Sequence, residues 1–187
     1  KVPGGAPAGV WPPARHPRRM LVLEGCVQPA LAPGIDAAMA RVLDRVGISL
    51  LKVGGGGCCG ALPHHLDATE DGRALARRNI DAWWPQVERG AEAIVVTASG
   101  CGVMVKDYGH FLRADPAYAA KAARVAALAK DTVEVVAALW PQIAPRVAMD
   151  RGAQKVAFHP PCTLQHGMQL KGRVEEILAA MGLEVVP

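Results

Sequence analysis

Met20-Leu21-Val22-Leu23-Glu24-Gly25-Cys26 decides how this chain is read. Four apolar residues closing on a glycine and a cysteine form a buried strand with its turn. Working outward, Gly34 to Val46 sets Ile35, Met39, Val42, Leu43 and Val46 on one helical face, and Gly47 ends that helix. Ile48 to Val53 is a second strand, and it runs into Gly54-Gly55-Gly56-Gly57-Cys58-Cys59-Gly60. Strand, cysteine, helix, glycine, strand is the pattern of a parallel sheet covered by helices, so the expected class is α/β.

Further strands are expected at Ile94 to Thr97, Lys155 to Phe158 and Leu183 to Val186. Asp67-Ala68-Thr69-Glu70 has capping-box spacing and predicts a helix running through Ile80, Trp83 and Val87. Asp115-Pro116 predicts another start, and Asp131 with Glu134 a third, with no strand between these last two helices. Val156-Ala157-Phe158-His159-Pro160-Pro161-Cys162 repeats the opening pattern, with Gly182 in the place of Gly47. The expected architecture is therefore two pseudo-repeated halves of parallel strands flanked by helices. Residues 1–19 are a proline-rich linker with order beginning at Met20, 20–130 are the first unit, and 131–187 are a connecting helix and the start of a truncated second unit. The chain begins on Lys1 rather than Met and reads as a piece of something longer.

Composition narrows the function. With 51% hydrophobic residues the chain can bury a core, and its apolar runs, such as Val135 to Trp140, fall far short of the ~20 residues of a membrane span. The net charge of +4 lies in the first 19 residues, which hold Lys1, Arg15, Arg18 and Arg19 and no acid. The remaining 17 basic and 17 acidic residues cancel, and two Phe and two Tyr offer no stacking platform, so nucleic acid is not an expected partner. Five cysteines without a secretory leader argue for reduced thiols rather than disulfides.

Cys26, Cys58-Cys59 and Cys101 each follow an expected strand closely, which places all four at the carboxyl edge of the sheet, where such folds bind ligands. Adjacent cysteines feeding one tetrahedral zinc are awkward, which makes zinc the weaker choice. An iron–sulfur cluster spreads its irons and lets neighbouring thiolates bind different ones, which the spacing favours. A Cys58-Cys59 dithiol would close a strained ring and leave Cys26 and Cys101 unexplained.

Cys26, then Cys58-Cys59-Gly60, then Ser99-Gly100-Cys101 resembles the cysteine-rich "CCG" domain of heterodisulfide reductase subunits and of iron–sulfur subunits in flavoenzyme complexes. Leu23-Glu24-Gly25-Cys26-Val27-Gln28-Pro29, Gly57-Cys58-Cys59-Gly60-Ala61-Leu62-Pro63-His64-His65, Thr97-Ala98-Ser99-Gly100-Cys101-Gly102 and His159-Pro160-Pro161-Cys162-Thr163-Leu164-Gln165-His166 look like the glycolate oxidase iron–sulfur subunits. The resemblance implies an iron–sulfur cluster, of [4Fe-4S] type, held by Cys26, Cys58, Cys59 and Cys101. Ala98 stands where the family has one more cysteine, which leaves four thiolates. Cys162 would be a ligand of a second, incomplete site, since a second Cys-Cys-Gly and the ferredoxin-like cysteine motif are absent from the chain. The resemblance further implies a subunit of an oxidoreductase complex, not catalytic alone. A flavin-bearing partner carrying FAD would oxidise glycolate to glyoxylate, and electrons would pass toward a quinone or another acceptor. The expected location is cytoplasmic, at the inner face of the membrane through partners. The alternatives are a related lactate or glycerol-3-phosphate dehydrogenase subunit, or an assembly module holding zinc or nothing.

Other features have plainer readings. Gly55-x-Gly57-x-x-Gly60 satisfies a dinucleotide fingerprint, but the following strand ends in Ala98-Ser99, without the acid that would hold a ribose. His64 and His65 read as tuning groups for a cluster or as loop imidazoles, and His159 as a support for the Cys162 loop or a turn contact. Trp83, Trp84 and Trp140 read as core. Arg73, Arg77 and Arg78 interleave with Asp71 and Asp81 on a solvated helix face.

Overall fold

Strand β1 (Arg18–Val22) leads through the Cys26 turn and a short helix α1 (Gln28–Leu31) into α2 (Gly34–Arg45). Gly47, at φ 79°, then turns the chain into β2 (Ile48–Leu51). The glycine loop passes to α3 (Ala61–His65), α4 (Thr69–Glu88) and β3 (Ile94–Val96). There follow α5 (Ser99–Lys106), α6 (Tyr108–Phe111), α7 (Ala119–Leu128), β4 (Ala129–Asp131) and α8 (Thr132–Ile143). A second group comprises β5 (Lys155–Ala157), a π-helical turn at Thr163–Gly167, α9 (Arg173–Ala180) and β6 (Glu184–Val186). This computed structural model describes residues 7–147 and 154–186.

The first sheet has the order β2-β1-β3-β4 and is parallel throughout, and β5 pairs in parallel with β6, so the fold is α/β as expected. Period-two alternation divides the core. Leu21, Leu23, Ile94 and Val96 pack on one face against Ile80 and Trp83 of α4, Val105 of α5 and Val125 of α7. Met20, Val22, Ile48, Leu50 and Val95 pack on the other against Met39 and Leu43 of α2 and Val135 and Leu139 of α8. The connection from β1 moves to one side, to β2, and the connection from β2 crosses back past β1 to β3. The loops leaving β1 and β3 therefore diverge, and a crevice opens between them at the carboxyl edge. Trp83 is core as expected, while Trp84 and Trp140 pack half-buried against the two clusters. No helix among the described residues is long and apolar enough to cross a membrane.

Three features depart from the sequence reading. A strand, β4, lies between α7 and α8, where none is expected. Its three residues, Ala-Lys-Asp, carry no strand pattern, and pairing with β3 at the sheet edge specifies them. The capping box at Asp67 does not form. Asp67 sits in the left-handed region at φ 63° and the backbone of Ala68 closes on Pro63 O, so α4 starts without a side-chain cap. The box at Asp131 and Glu134 does form, with both of its reciprocal hydrogen bonds.

The third departure is at the amino end, where β1 begins at Arg18 and the preceding residues dock on α2 and β2. Trp11 Nε1 donates to Leu50 O (3.2 Å), the backbone N–H of His16 donates to Ser49 Oγ (2.9 Å), and Arg15 Nε and His16 Nε2 both meet Asp44 Oδ1 at 2.9 Å. Residues 1–6 lie outside the described residues. The Arg15 guanidinium, with a smaller contribution from His16, holds the Asp44 carboxyl below the usual carboxylate range. A depressed carboxylate contributes stability that is complete above its unfolded value of about 3.9 and is lost as pH falls through its folded value. Acid titration is therefore expected to release residues 8–16 below the ordinary carboxylate range, read by NMR from the Trp11 indole N–H. Asp44→Asn should remove that acid dependence.

Candidate metal centre

Glycines shape the loop after β2. Gly60 has φ 90°, and a Cβ there would stand 2.6 Å from Gly72 O on α4. A Cβ on Gly72 would in turn meet Gly60 O at 3.0 Å. Backbone rests on backbone at this crossing, and a side chain on either residue would part the loop from the helix.

Asn79 of α4, fully buried, holds the loop from within. Its Oδ1 accepts from the backbone N–H of Gly57 (2.8 Å), and its Nδ2 donates to Cys58 O (2.8 Å) and to Tyr108 Oη (3.0 Å). Tyr108, also buried, donates its hydroxyl to Cys59 O (2.8 Å). Three consecutive loop residues are thus satisfied by two interior side chains. The Tyr108 hydroxyl is pushed above its ordinary range, first by burial, and stays a neutral donor.

Cys26 from the β1 turn, Cys58 and Cys59 from the glycine loop and Cys101 from α5 line one cavity of about 880 Å³ in the crevice. The structure brings together the four thiols singled out by sequence. Cys59 is buried, Cys58 and Cys101 are half-buried and Cys26 is exposed. The Cys101 thiol, followed by the backbone N–H groups of Ala61 and Cys59, draws Cys59 down to about 6 against the opposing effect of burial. The neighbouring Cys59 sulfur, followed by burial, pushes Cys101 up. Burial pushes Cys58 up. Four cysteine sulfurs lining one cavity make an all-sulfur donor set. Among the described residues no three His, Cys, Asp or Glu side chains gather closely enough to hold a single metal ion. Thiols set around a wide cavity fit a polynuclear group better than one tetrahedral ion.

Cys162 is exposed and does not line the cavity, although Thr163 and Gly167 just after it do. His64 and His65 both line it. His64 packs edge-on against Phe111 (4.8 Å between ring centroids), and its Nδ1 is buried without a partner among the described residues. On the β1 side, Thr97 Oγ1 donates to buried Asp36 Oδ1 (2.6 Å), and Gln28 Nε2 donates to the same oxygen (2.8 Å) and to Thr97. Gln28 thereby ties the Cys26 turn to the end of β3. The Gly55-x-Gly57-x-x-Gly60 loop opens only the five-residue α3, and its glycines serve the packing on α4. Arg73 pairs with Glu70 on α4 and Arg77 with Asp115 after α6, both arginines half-buried, rather than with the Asp71 and Asp81 of the expected solvated face.

Asn79, Tyr108, Gly72 and the Gln28, Asp36 and Thr97 set are the site residues that sequence reasoning missed. Asn79 left a signal, since it interrupts the apolar stripe of Ala76, Ile80, Trp83 and Val87. A polar residue on a buried face must have a partner inside.

A cysteine-lined cavity at the switch point of a parallel sheet defines a class, and residues 20–106 match the family described as "CCG: Cysteine-rich domain". The expected resemblance to glycolate oxidase iron–sulfur subunits also holds. Over 171 residues, 91% of this chain and 41% of the relative, the chain is 55% identical to the "Glycolate oxidase iron-sulfur subunit" of Escherichia coli (strain K12). It is 28% identical over 122 residues, 65% of this chain and 27% of the relative, to the "Probable glycolate oxidase iron-sulfur subunit" of Bacillus subtilis (strain 168). It is 29% identical over 101 residues, 54% of this chain and 40% of the relative, to the "Lactate utilization protein A" of Bacillus licheniformis. The chain spans less than half the length of each of these three relatives.

Removing the interior brace should loosen the Cys-Cys loop. Asn79→Ala is expected to cost about 3 kcal/mol, because it strands the Gly57 N–H and the Cys58 carbonyl. Tyr108→Phe should cost about 1 kcal/mol. Urea unfolding of both variants checks the order, and a greater loss from Tyr108→Phe would mean that the loop hangs on the tyrosine instead.

Proposed function

We propose that this chain is part of an iron–sulfur electron-transfer subunit of a glycolate oxidase or dehydrogenase complex, and that Cys26, Cys58, Cys59 and Cys101 hold one cluster of [4Fe-4S] type. The observation that carries the reading is the convergence of these four thiols on one cavity. The 55% identity to the E. coli subunit supports its assignment to glycolate oxidation. When bound, the cluster supplies one-electron redox chemistry at a potential set by its surroundings.

The chain's own residues ligate, orient and tune. Asn79 and Tyr108 hold Cys58 and Cys59 in place, Gln28 fixes the Cys26 turn, and α5 presents Cys101. His64 and His65, which line the cavity, would tune the cluster's surroundings. No side chain here is offered for acid–base work on glycolate. That step belongs to a flavin-bearing partner subunit with FAD, which oxidises glycolate to glyoxylate, and electrons leave this subunit for a quinone or another acceptor. The subunit works in the cytoplasm, at the inner face of the membrane through its partners. Cys162 belongs to the second unit of the repeat and would serve a separate site. The match to lactate utilization protein A favours a second reading, the same electron-transfer role beside a lactate-oxidising partner.

Anaerobic reconstitution with iron and sulfide should give broad charge-transfer absorption and a paramagnetic signal on reduction. Zinc in the metal analysis without that absorption would sink the cluster reading. Cys58→Ser and Cys59→Ser should each lose most of the bound iron, whereas Cys162→Ser should keep it. In the reconstituted complex glycolate should bleach the absorption, and bleaching by lactate alone would favour the second reading.

A further inference from the structure

We infer that α1 and the groove beside it are a docking surface for the counterpart of α5 in a second cysteine-rich unit, so that two units clasp one another reciprocally. The inference rests on the duplicated-unit reading, and it begins from a contact made once in this structure where two-fold packing requires it twice.

The two units align cysteine on cysteine. β1, Cys26, α2, Gly47 and β2 stand against β5, Cys162, α9, Gly182 and β6, with parallel strands in both and both glycines at φ 79°. The segments just after the two cysteines have different surroundings. After Cys162, the Thr163–Gly167 turn sits on α5 of the first unit. Thr163 Oγ1 and Ser99 Oγ lie 2.7 Å apart. A Cβ on Gly167 would stand 2.5 Å from Val103 Cγ2, and one on Gly102 would stand 3.0 Å from Met168 Cε. Leu164 and Met168 are buried there.

Counting from the cysteine, Thr163 corresponds to Val27 and Gly167 to Leu31. Both of these are apolar, and both are 58% exposed. With Ile35, 44% exposed, they border a groove of about 290 Å³ whose floor includes Leu23 and Val96. A row of large apolar side chains around an apolar groove is the mark of a covered surface. Related units packed about a two-fold axis make each contact twice, residue i on j and j on i. One of the two contacts is present, α5 of the first unit against the post-cysteine turn of the second. Its mate is α1 of the first unit against the α5 counterpart of the second. The described residues of the second unit, through β6, include no such helix. The E. coli relative has more than half of its length outside the match, from which one can be drawn. The expected occupant opens with small residues, as α5 does at Gly100 and Gly102, and presents an apolar side chain to the groove.

The test is a photo-crosslinking amino acid placed at the positions of Val27 and Leu31 in the full-length E. coli subunit within its complex. The position of Val10, 77% exposed, serves as control. The expected result is a crosslink within the same polypeptide, to the helix following a second cysteine-rich strand, well above the control. Crosslinks to a second copy, to a different subunit, or at the control level would overturn the inference. In parallel, Val27→Asp with Leu31→Asp should leave the melting temperature of this chain unchanged and lower that of the full-length subunit. Equal effects in both would also overturn it. Iron content of the preparation labelled at the position of Leu31, which does not line the cysteine cavity, keeps the two readings apart. Full iron without the internal crosslink defeats the docking surface alone, and the crosslink without iron defeats the cluster alone.

Discussion

The site depends on one buried amide. Asn79 has no solvent to fall back on, so its oxygen and nitrogen must be matched inside the protein, and the loop from Gly57 to Cys58 supplies the match. The exchange works both ways. The loop contains too many glycines to hold a shape by itself, and the helix would be destabilised by an unmatched polar group on its core face. Tyr108 extends the arrangement from α6 to the next loop residue, so two helices on the same side of the sheet set the position of adjacent sulfurs.

Around that brace, the strand order decides where the remaining sulfurs fall. With β1 between β2 and β3, the turn carrying Cys26 and the helix carrying Cys101 flank the crevice, and the Cys58-Cys59 loop closes it from the β2 side. The donor set is therefore assembled from segments far apart in the chain and close only in the folded sheet. The turn after Cys162 adds a wall through Thr163 and Gly167 without adding a sulfur.

Much of this was legible in the sequence because it is local. Met20 to Cys26, the Gly34 helix and Gly47 announce a β–α–β unit through apolar spacing and one left-handed glycine, and the carboxyl-edge rule then places four thiols together without coordinates. The box at Asp131 and Glu134 was legible for the same reason. What escaped the reading depends on distant partners. Ala129–Asp131 becomes a strand only beside β3, Asp67 loses its capping role to a left-handed turn, and residues 8–16 dock through Asp44 and Leu50, which no periodicity reveals. Asn79 lay between these cases, visible as a polar interruption but without its partners named.

The four sulfurs are not equally sheltered. Cys59 lies 3% exposed beneath the loop, whereas Cys26 stands in solvent at the rim. Chemistry arriving from outside meets this asymmetry first. Oxidants that climb the ladder from thiolate to sulfenic acid act where sulfur is accessible, so damage starts at Cys26 and reaches the buried corner last. A sulfenic acid formed there returns to the thiol with a thiol reductant, while the three more sheltered sulfurs stay where the fold holds them.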